Sequence, residues 1–337
     1  MYRYRLIACV ALALLASSPL ASADVTKLLF TTITPPGSGI SRGTYQPWVE
    51  KINQDGKGVV DIDMRDGFAL VQSTNFYDRL RDNVVQISFG SMNYVAGKFK
   101  LSLFAALPFL IDSAEEESVV YYRIIKSGAL DSEFDEIMPL FAICFPENGL
   151  HFIKPQPEAL SSLRGLKIIT AGQLSSDLIE RLGGTPASIQ LTDAYTALQH
   201  GAADGMHFPW AALSDFKFDE VMKFHILASL GGGPGGVWMT KKEYQSLSPD
   251  IRKIIDENSG EAESRHAGQV FDQLQAKAIA NISARTDQKV VTLDQEQAAK
   301  WKAMSQPLLD EWAARSPEHA KVLALVKQEV AKYRAGQ

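Results

Sequence analysis

The sequence lacks the features that mark several common classes of protein. Its 337 residues include two cysteines, Cys9 and Cys144, too few for a disulfide framework or a cysteine-based zinc site. Lysine and arginine (34) do not outnumber aspartate and glutamate (39), and a net charge of −5 argues against nucleic-acid binding. The longest N-terminal apolar run falls well short of the roughly 20 residues that a membrane-spanning helix needs. These absences leave an ordinary globular protein of the size of two domains.

Enzyme signatures are missing as well. The chain contains no G-x-S-x-G, H-E-x-x-H, C-x-x-C or phosphate-loop motif, and no G-x-G-x-x-G follows its first predicted strand. The glycine-rich run Gly231–Gly236 lacks the lysine that closes a phosphate loop, so it predicts a crossover linker between domains. His200 and His207 are separated by a glycine turn and predict no metal site. We therefore expect no cofactor, no metal and no catalysis. A periplasmic enzyme stays an alternative that turnover of a bound ligand would support.

The N-terminus carries the pattern of an export signal. Arg3 and Arg5 precede the apolar run Leu6–Ala16, and Ala21-Ser22-Ala23 forms an A-x-A cleavage site. This pattern predicts cleavage after Ala23 and a periplasmic protein.

Hydrophobic periodicity predicts an α/β fold. Strands alternate with helices from Lys27 to Phe89 and again from Leu163 to Trp210, which is typical of parallel sheets with helices on both faces. Small ligands bind such sheets beyond the carboxyl ends of their strands. Ser248-Pro249-Asp250 forms a helix start, and the apolar pattern behind it predicts one helix to about Ile282. At 1.5 Å per residue this helix would be roughly 50 Å long and would have to span both domains.

Two segments resemble a known family. Leu163-Arg164-Gly165-Leu166-Lys167-Ile168 matches the start of a pattern L-K-G-L-K-I-R-V-x-G. The segment from Asp193 to Gly205, followed by Pro209, matches E-V-Y-x-A-L-Q-x-G-x-V-D-G-x-E-N-P, and Leu107–Leu110 resembles L-P-F-L-F. These patterns are similar to those of the extracytoplasmic solute-binding subunits of tripartite ATP-independent periplasmic (TRAP) transporters.

The resemblance implies a periplasmic-binding-protein-like fold with two α/β lobes, a cleft between them, and one long helix that spans both. We predict a signal peptide at 1–23, lobe I at 24–145 plus about 233–270, and lobe II at 146–232 plus about 271–337. The implied partners are a small-molecule ligand and the membrane subunits of the transporter, for a monomeric binding protein. An extracytoplasmic sensor that presents its ligand to a receptor is an alternative with the same fold.

The chain departs from the resembled pattern at the residues that bind carboxylates. Ile169 stands where the family has its carboxylate-binding arginine, Phe208 where it has a site asparagine, and His151 where a second arginine is often found. A guanidinium holds a carboxylate through two parallel hydrogen bonds, which an isoleucine cannot do. Lys167 shares a face with Ile169 and could substitute. Alternatively the arginine is displaced or supplied from another segment, and the candidates are Arg42, Arg65 and Arg164.

Without that arginine, the site is expected to favour a different ligand. Aromatic faces together with a carboxylate suit an ammonium group. We therefore predict a small amine or amino alcohol of the ethanolamine or choline kind, or a neutral polar solute, with organic-acid binding as the alternative. The predicted ligand-binding residues are Asp66, Phe68, Glu147, His151, Ile169, Phe208, Trp210 and Trp238.

Overall fold

The computed structural model of the protein describes residues 24–95, 97–145, 148–156, 162–228 and 230–337. The predicted signal peptide and Glu147 therefore lie outside the described residues. Within the described part, no helix combines the length and the apolar composition needed to cross a membrane.

Strands and helices alternate through most of the chain. The described strands are β1 (Thr26–Thr31), β2 (Val60–Arg65), β3 (Ile87–Ser91), β4 (Ile137–Ala142), β5 (Gly149–Phe152), β6 (Lys167–Ile169), β7 (Thr185–Ala187), β8 (Gly205–Phe208), β9 (Phe224–Leu227), β10 (Gly235–Thr240) and β11 (Lys289–Thr292). The described α-helices are α1 (Gln46–Asp55), α2 (Phe76–Arg81), α3 (Ala114–Lys126), α4 (Gly172–Arg181), α5 (Leu191–Gln199), α6 (Phe218–Val221), α7 (Lys241–Ser246), α8 (Pro249–Glu257), α9 (Gly260–Ser283), α10 (Gln295–Ala314) and α11 (Pro317–Arg334).

The strands form two sheets, one in each of two α/β lobes. The first sheet has the order β2-β1-β3-β10-β4, and the second has the order β11-β9-β5-β8-β6-β7. The first lobe therefore receives β10 only after the chain has built most of the second. As the glycine-rich run predicted, Gly231–Gly236 leads back into the first sheet.

The prediction of parallel sheets is wrong for the strands that enter from the cleft. β10 is antiparallel to both β3 and β4, and β5 is antiparallel to both β8 and β9. The parallel strands end at the cleft, so a strand that arrives from the other lobe begins at that edge and runs in the opposite direction. Both sheets are mixed for this reason.

Aromatic side chains build the core of the first lobe. Helix α1 turns Trp48, Val49 and Ile52 inward. The Trp48 ring lies 5.7 Å from the Phe30 ring of β1 and 5.4 Å from the Phe141 ring of β4, in edge-on contacts. Such pairs add about 0.5–1.5 kcal/mol each to the free energy gained by burying the rings.

The long helix is shorter than the sequence predicts, because the predicted segment divides in two. Helix α8 ends at Glu257, and α9 begins at Gly260, whose φ of +83° suits glycine and few other residues. The 24 residues of α9 extend about 36 Å. They pack on α3 and β4 of the first lobe, and on residues 210–212 and β11 of the second. One long helix thus spans both lobes, as predicted.

Helix α3 connects the long helix to the C-terminal part of the chain. The Asp272 carboxylate of α9 accepts hydrogen bonds from the backbone N–H groups of Ala114 (2.9 Å) and Glu115 (3.0 Å), at the start of α3. Arg334 of α11 donates to Glu116 of α3 at 2.7 Å. Helix α11 therefore packs on the first lobe, whereas α10 packs on α4 of the second.

Replacing Asp272 by alanine is expected to lower the free energy of unfolding by about 1–2 kcal/mol, because two N–H groups in the first turn of α3 lose their acceptor. Urea denaturation measures the change. Gln273→Ala, at an exposed position of the same helix, is the matched control. Equal losses for the two variants would show that the Asp272 hydrogen bonds add nothing to stability.

Candidate ligand-binding site

A cavity lies between the two lobes, at the edge where the parallel strands end. The volume of the cavity is about 70 Å³. One water needs about 10–15 Å³ by the same measure, so the cavity is large enough for a small organic molecule. Its walls come from both lobes, from the segments that cross between them, and from α9. The lining residues include Ser91 from the first lobe, Ala171 from the second lobe, Gly232 from the crossing segments and Leu274 from the long helix.

Aromatic rings form much of the wall. Seven aromatic residues line the cavity: Tyr45, Phe89, Tyr94, Phe145, Phe208, Phe216 and Phe271. Four of them pack in series from the first lobe to α9, with ring centroids 5.6 Å apart for Tyr45–Phe89, 6.0 Å for Phe89–Phe145 and 5.6 Å for Phe145–Phe271. Phe208 and Phe216 make a further edge-on pair at 5.9 Å. The cavity is therefore suited to a flat, apolar body.

Three buried polar atoms on the wall have no hydrogen-bond partner among the described residues. They are the Tyr45 hydroxyl, Oδ1 of Asn148 and Nε2 of His207. Burial, together with the nearby charge of Asp66, raises the pKa of Tyr45 well above its usual value, so its hydroxyl keeps its proton and can donate. Oδ1 of Asn148 can only accept. A ligand that presents one acceptor and one donor would satisfy the Tyr45 and Asn148 atoms.

Asp215 is the charged residue among the described residues of the wall. Burial raises the pKa of its carboxyl, while the Gly39 backbone N–H and the Arg42 charge oppose the increase. His207 also lines the cavity, and burial lowers its pKa to about 4, so it is neutral at physiological pH. Its Nδ1 lies 2.7 Å from Oγ of Ser175. The carboxylate of Asp215 consequently has no cationic neighbour on the cavity surface.

No lysine or arginine is found among the described residues that line the cavity. Arg42 is exposed and donates to the Gly37 carbonyl, and Arg65 is exposed and pairs with Asp63 at 2.7 Å. Arg164 and Lys167 are exposed as well. None of the sequence-based candidates for a displaced cation lines the cavity, although the Arg42 charge acts on the Asp215 carboxyl.

Two of the predicted site residues lie at the cavity or beside it, and a third lies behind its wall. Phe208 is on the wall. Phe68 packs against the wall residue Phe216, with ring centroids 6.2 Å apart, and so joins the two lobes. The Asp66 carboxylate accepts from Oγ1 of Thr32 at 2.8 Å and from Oγ of Ser41 at 2.6 Å, behind Tyr45.

The other described residues of the predicted set are buried away from the cavity. Ile169 lies inside the second lobe, and Trp238 donates from Nε1 to the Gly90 carbonyl inside the first sheet at 2.9 Å. His151 and Trp210 pack on each other within the second lobe at 4.7 Å. Strand alternation alone does not show which side chains turn toward a cleft. The ligand-binding role of the whole set stays a prediction.

The residues that the sequence did not reveal are Tyr45, Asn148 and Asp215. Tyr45 shares a helical face with Trp48, Val49 and Ile52, which indicates a core position. Asp215 follows a short turn after Trp210 and carries no motif. Spacing could have shown only that Tyr45 follows the loop at the carboxyl end of β1, where ligand-binding side chains are common.

Comparisons with known proteins agree with this architecture. The sequence profile of DctP, the bacterial extracellular solute-binding protein of family 7, matches residues 30–316. The outer membrane transporter protein TsaT of Comamonas testosteroni is 26% identical over 291 residues, which cover 84% of each chain. The C4-dicarboxylate-binding periplasmic protein DctP of Rhodobacter capsulatus is 23% identical over 335 residues, which cover 97% of each chain.

Solved structures show the same fold. A marine-metagenome TRAP solute-binding protein specific for aromatic acid ligands, in complex with metahydroxyphenylacetate, is 25% identical with a TM-score of 0.85, over 91% of this chain and 99% of that one. A TRAP solute-binding protein from Rhodoferax ferrireducens with copurified benzoate is 24% identical with a TM-score of 0.87, over 92% and 99%. The chain therefore belongs to family 7 of the bacterial extracellular solute-binding proteins, the DctP family of TRAP transporters.

Proposed function

We propose that this binding protein captures a small molecule with a flat apolar body and an ammonium or uncharged polar head, and delivers it to the membrane subunits of a TRAP transporter. The observation that carries the proposal is the charge of the cavity wall. Asp215 lies on the wall, and no lysine or arginine among the described residues does.

Charge favours a cation over an anion at this site. A carboxylate ligand would lose its hydration and find no cation on the described wall to replace it, which costs several kcal/mol. An ammonium group would instead pair with Asp215, whose pKa is raised by burial against the opposing Gly39 hydrogen bond and Arg42 charge. The faces of the surrounding rings add cation–π attraction of about 0.5–2 kcal/mol.

The hydrogen-bonding atoms on the wall support the same ligand class. Oδ1 of Asn148 is suited to accept from an ammonium or hydroxyl group, and the Tyr45 hydroxyl is suited to donate to a hydroxyl or carbonyl oxygen. An amino alcohol or a hydroxylated arylalkylamine offers both groups on one small skeleton. We propose this class for the ligand.

A thermal-shift screen with matched pairs tests the proposal. The pairs have similar bodies and opposite heads: benzylamine and benzoate, 2-phenylethylamine and phenylacetate, 2-amino-1-propanol and lactate. At a concentration of 100 times Kd, a ligand adds about 2.7 kcal/mol, which for a chain of this size raises Tm by roughly 5 °C. We expect such shifts from amines. Stabilisation by the acids alone would overturn the proposal.

One observation favours a second candidate, an aromatic acid. The metagenome relative is specific for aromatic acid ligands, and seven aromatic residues also line the present cavity. Neutral donors such as the Tyr45 hydroxyl would then have to hold the carboxylate. In the screen this candidate predicts shifts with benzoate and phenylacetate and none with lactate.

A further inference from the structure

Two buried histidines form a chain of hydrogen bonds behind the cavity wall. His151 of β5 and His225 of β9 are opposite each other in the second sheet, and both rings are fully buried. Their Nδ1 atoms are 2.9 Å apart. Nε2 of His151 lies 3.0 Å from the Phe208 carbonyl oxygen, and Nε2 of His225 lies 2.8 Å from Oε1 of Gln288.

The two ends of this chain fix which ring nitrogens carry protons. A carbonyl oxygen only accepts, so Nε2 of His151 must donate to Phe208. Nε2 of Gln288 donates to the Asp219 carbonyl at 2.9 Å, which places the acceptor Oε1 toward His225. Nε2 of His225 must therefore donate as well.

These assignments leave the central contact one proton short if both rings are neutral. A neutral imidazole has a single N–H, and each ring already uses it at Nε2. Two bare Nδ1 lone pairs would then face each other at 2.9 Å, which is a hydrogen-bond distance. A third proton between the rings turns this repulsion into a charge-assisted hydrogen bond.

We propose that His151 and His225 share one proton between their Nδ1 atoms, so that the pair carries a single positive charge inside the second lobe, beside the Phe208 carbonyl. The shared proton holds both rings in the orientation that lets His151 donate to the Phe208 carbonyl. The two histidines are thus positioning residues for the segment Phe208–Ala212, which supplies four residues of the wall.

Burial opposes a proton on either ring, so the hydrogen bond between the two Nδ1 atoms has to offset it for the first charge, and a second charge meets repulsion as well. Burial lowers the pKa of both rings, and each ring also repels a proton on the other. Among the charged groups that face His225, Asp219 favours its protonation, while Arg285 and Lys223 oppose it. His207 faces His151 but is neutral near pH 7. Trp210 packs edge-on against the His151 ring at 4.7 Å and tilted against the His225 ring at 5.4 Å.

NMR of the whole mature chain with ¹⁵N-labelled histidine tests the proposal. We expect three ring N–H protons from the two rings at pH 7, the shared proton lying far downfield and coupled to both Nδ1 nitrogens. That coupling assigns the signal in the wild type without any variant. Two ring N–H protons, with bare Nδ1 atoms throughout the folded pH range, would overturn the proposal.

Proton linkage gives a second readout that packing alone would not produce. Unfolded histidines are mostly neutral above their ordinary pKa of about 6.5, so a folded pair that keeps one proton becomes less stable as pH rises. Below that value the unfolded chain binds more protons than the pair, and stability falls again. Relative to His225→Gln, the wild-type unfolding constant should rise by up to about tenfold per pH unit above pH 7. Parallel pH profiles for the two proteins would contradict a shared proton.

Discussion

Gly268→Ala is expected to lower the free energy of unfolding by about 2–4 kcal/mol, although alanine normally stabilises the interior of a helix by about 0.5–1 kcal/mol relative to glycine. A Cβ at this position would lie 2.4 Å from Cα of Glu115 and 2.6 Å from the Ala114 carbonyl oxygen. Both are backbone atoms, so no side-chain rotation can relieve the contact. Helices α3 and α9 would have to move apart.

The same movement would break the hydrogen bonds of Asp272, which lies one turn further along α9 and caps α3. The two losses therefore add in one substitution. Ala262→Val, at an exposed position of α9, adds bulk without meeting α3 and is expected to change stability by less than about 1 kcal/mol. Urea denaturation measures the change in the free energy of unfolding for both variants. A decrease for Gly268→Ala indicates the contact with α3, whereas an increase indicates the usual preference of a helix for alanine. A Gly268→Ala protein as stable as the wild type would mean that the contact between α3 and α9 can expand freely.

Asp215→Asn is expected to weaken the binding of an amine ligand about 100-fold, equivalent to about 2.7 kcal/mol, because the ammonium loses its buried charge partner. Asparagine keeps the shape and one oxygen acceptor. Isothermal titration with the best amine from the screen measures the change, and Asp61→Asn at an exposed position of β2 is the matched control. Equal affinity in both variants would remove Asp215 from the site.

The pH dependence of Asp215 provides an independent measurement. The folded-state pKa of its carboxyl is raised by burial, so its contribution to stability is present below the ordinary aspartate pKa and is lost as pH rises through the folded value. At neutral pH the ligand-free Asp215→Asn protein should therefore be more stable than the wild type, with the difference vanishing in acid. Amine affinity of the wild type should fall as pH drops through the same raised pKa, while that of the variant stays flat.

The stability and the amine affinity of Asp215→Asn test the buried carboxyl and the ligand class separately. A more stable Asp215→Asn protein that binds no amine at any pH would confirm the buried carboxyl and refute the amine class. The wild type would then be expected to respond to the aromatic acids of the screen.

Much of the fold follows from local pattern. The helix start predicted at Ser248-Pro249-Asp250 is observed, because helix caps are local signals: Ser248 caps α8 and its Oγ accepts from the Ile251 N–H at 3.3 Å. Ser113 accepts from the Glu116 N–H at 3.1 Å, as expected of a helix cap. The break before Gly260 was missed because the apolar period continues through it. The antiparallel entry of β5 and β10 was missed because strand direction depends on the crossings between lobes.

The site was harder to predict, since a cleft is made by residues far apart in sequence. Phe208 was predicted at the site from its place in the resembled pattern, and it is the last residue of β8 and lies on the wall. Trp238 carries the same aromatic signal, yet the antiparallel direction of β10 places it within the sheet. Asp215 and Asn148 lie in irregular segments, whose side-chain directions no periodicity describes. The absence of an arginine at position 169 was visible in the sequence, and the described wall contains no cation in its place.

The position of β10 in the first sheet also constrains how this chain folds. In the sheet, β10 lies between β3 and β4, which do not pair with each other. In the sequence, β10 is separated from β4 by all strands of the second sheet except β11. Until residue 240 is available, β3 and β4 each keep an unpaired edge, which is prone to wrong pairing. Closing the first sheet also requires contacts between segments about 100 residues apart, which slows folding. The first lobe thus completes its sheet only after most of the second has been made.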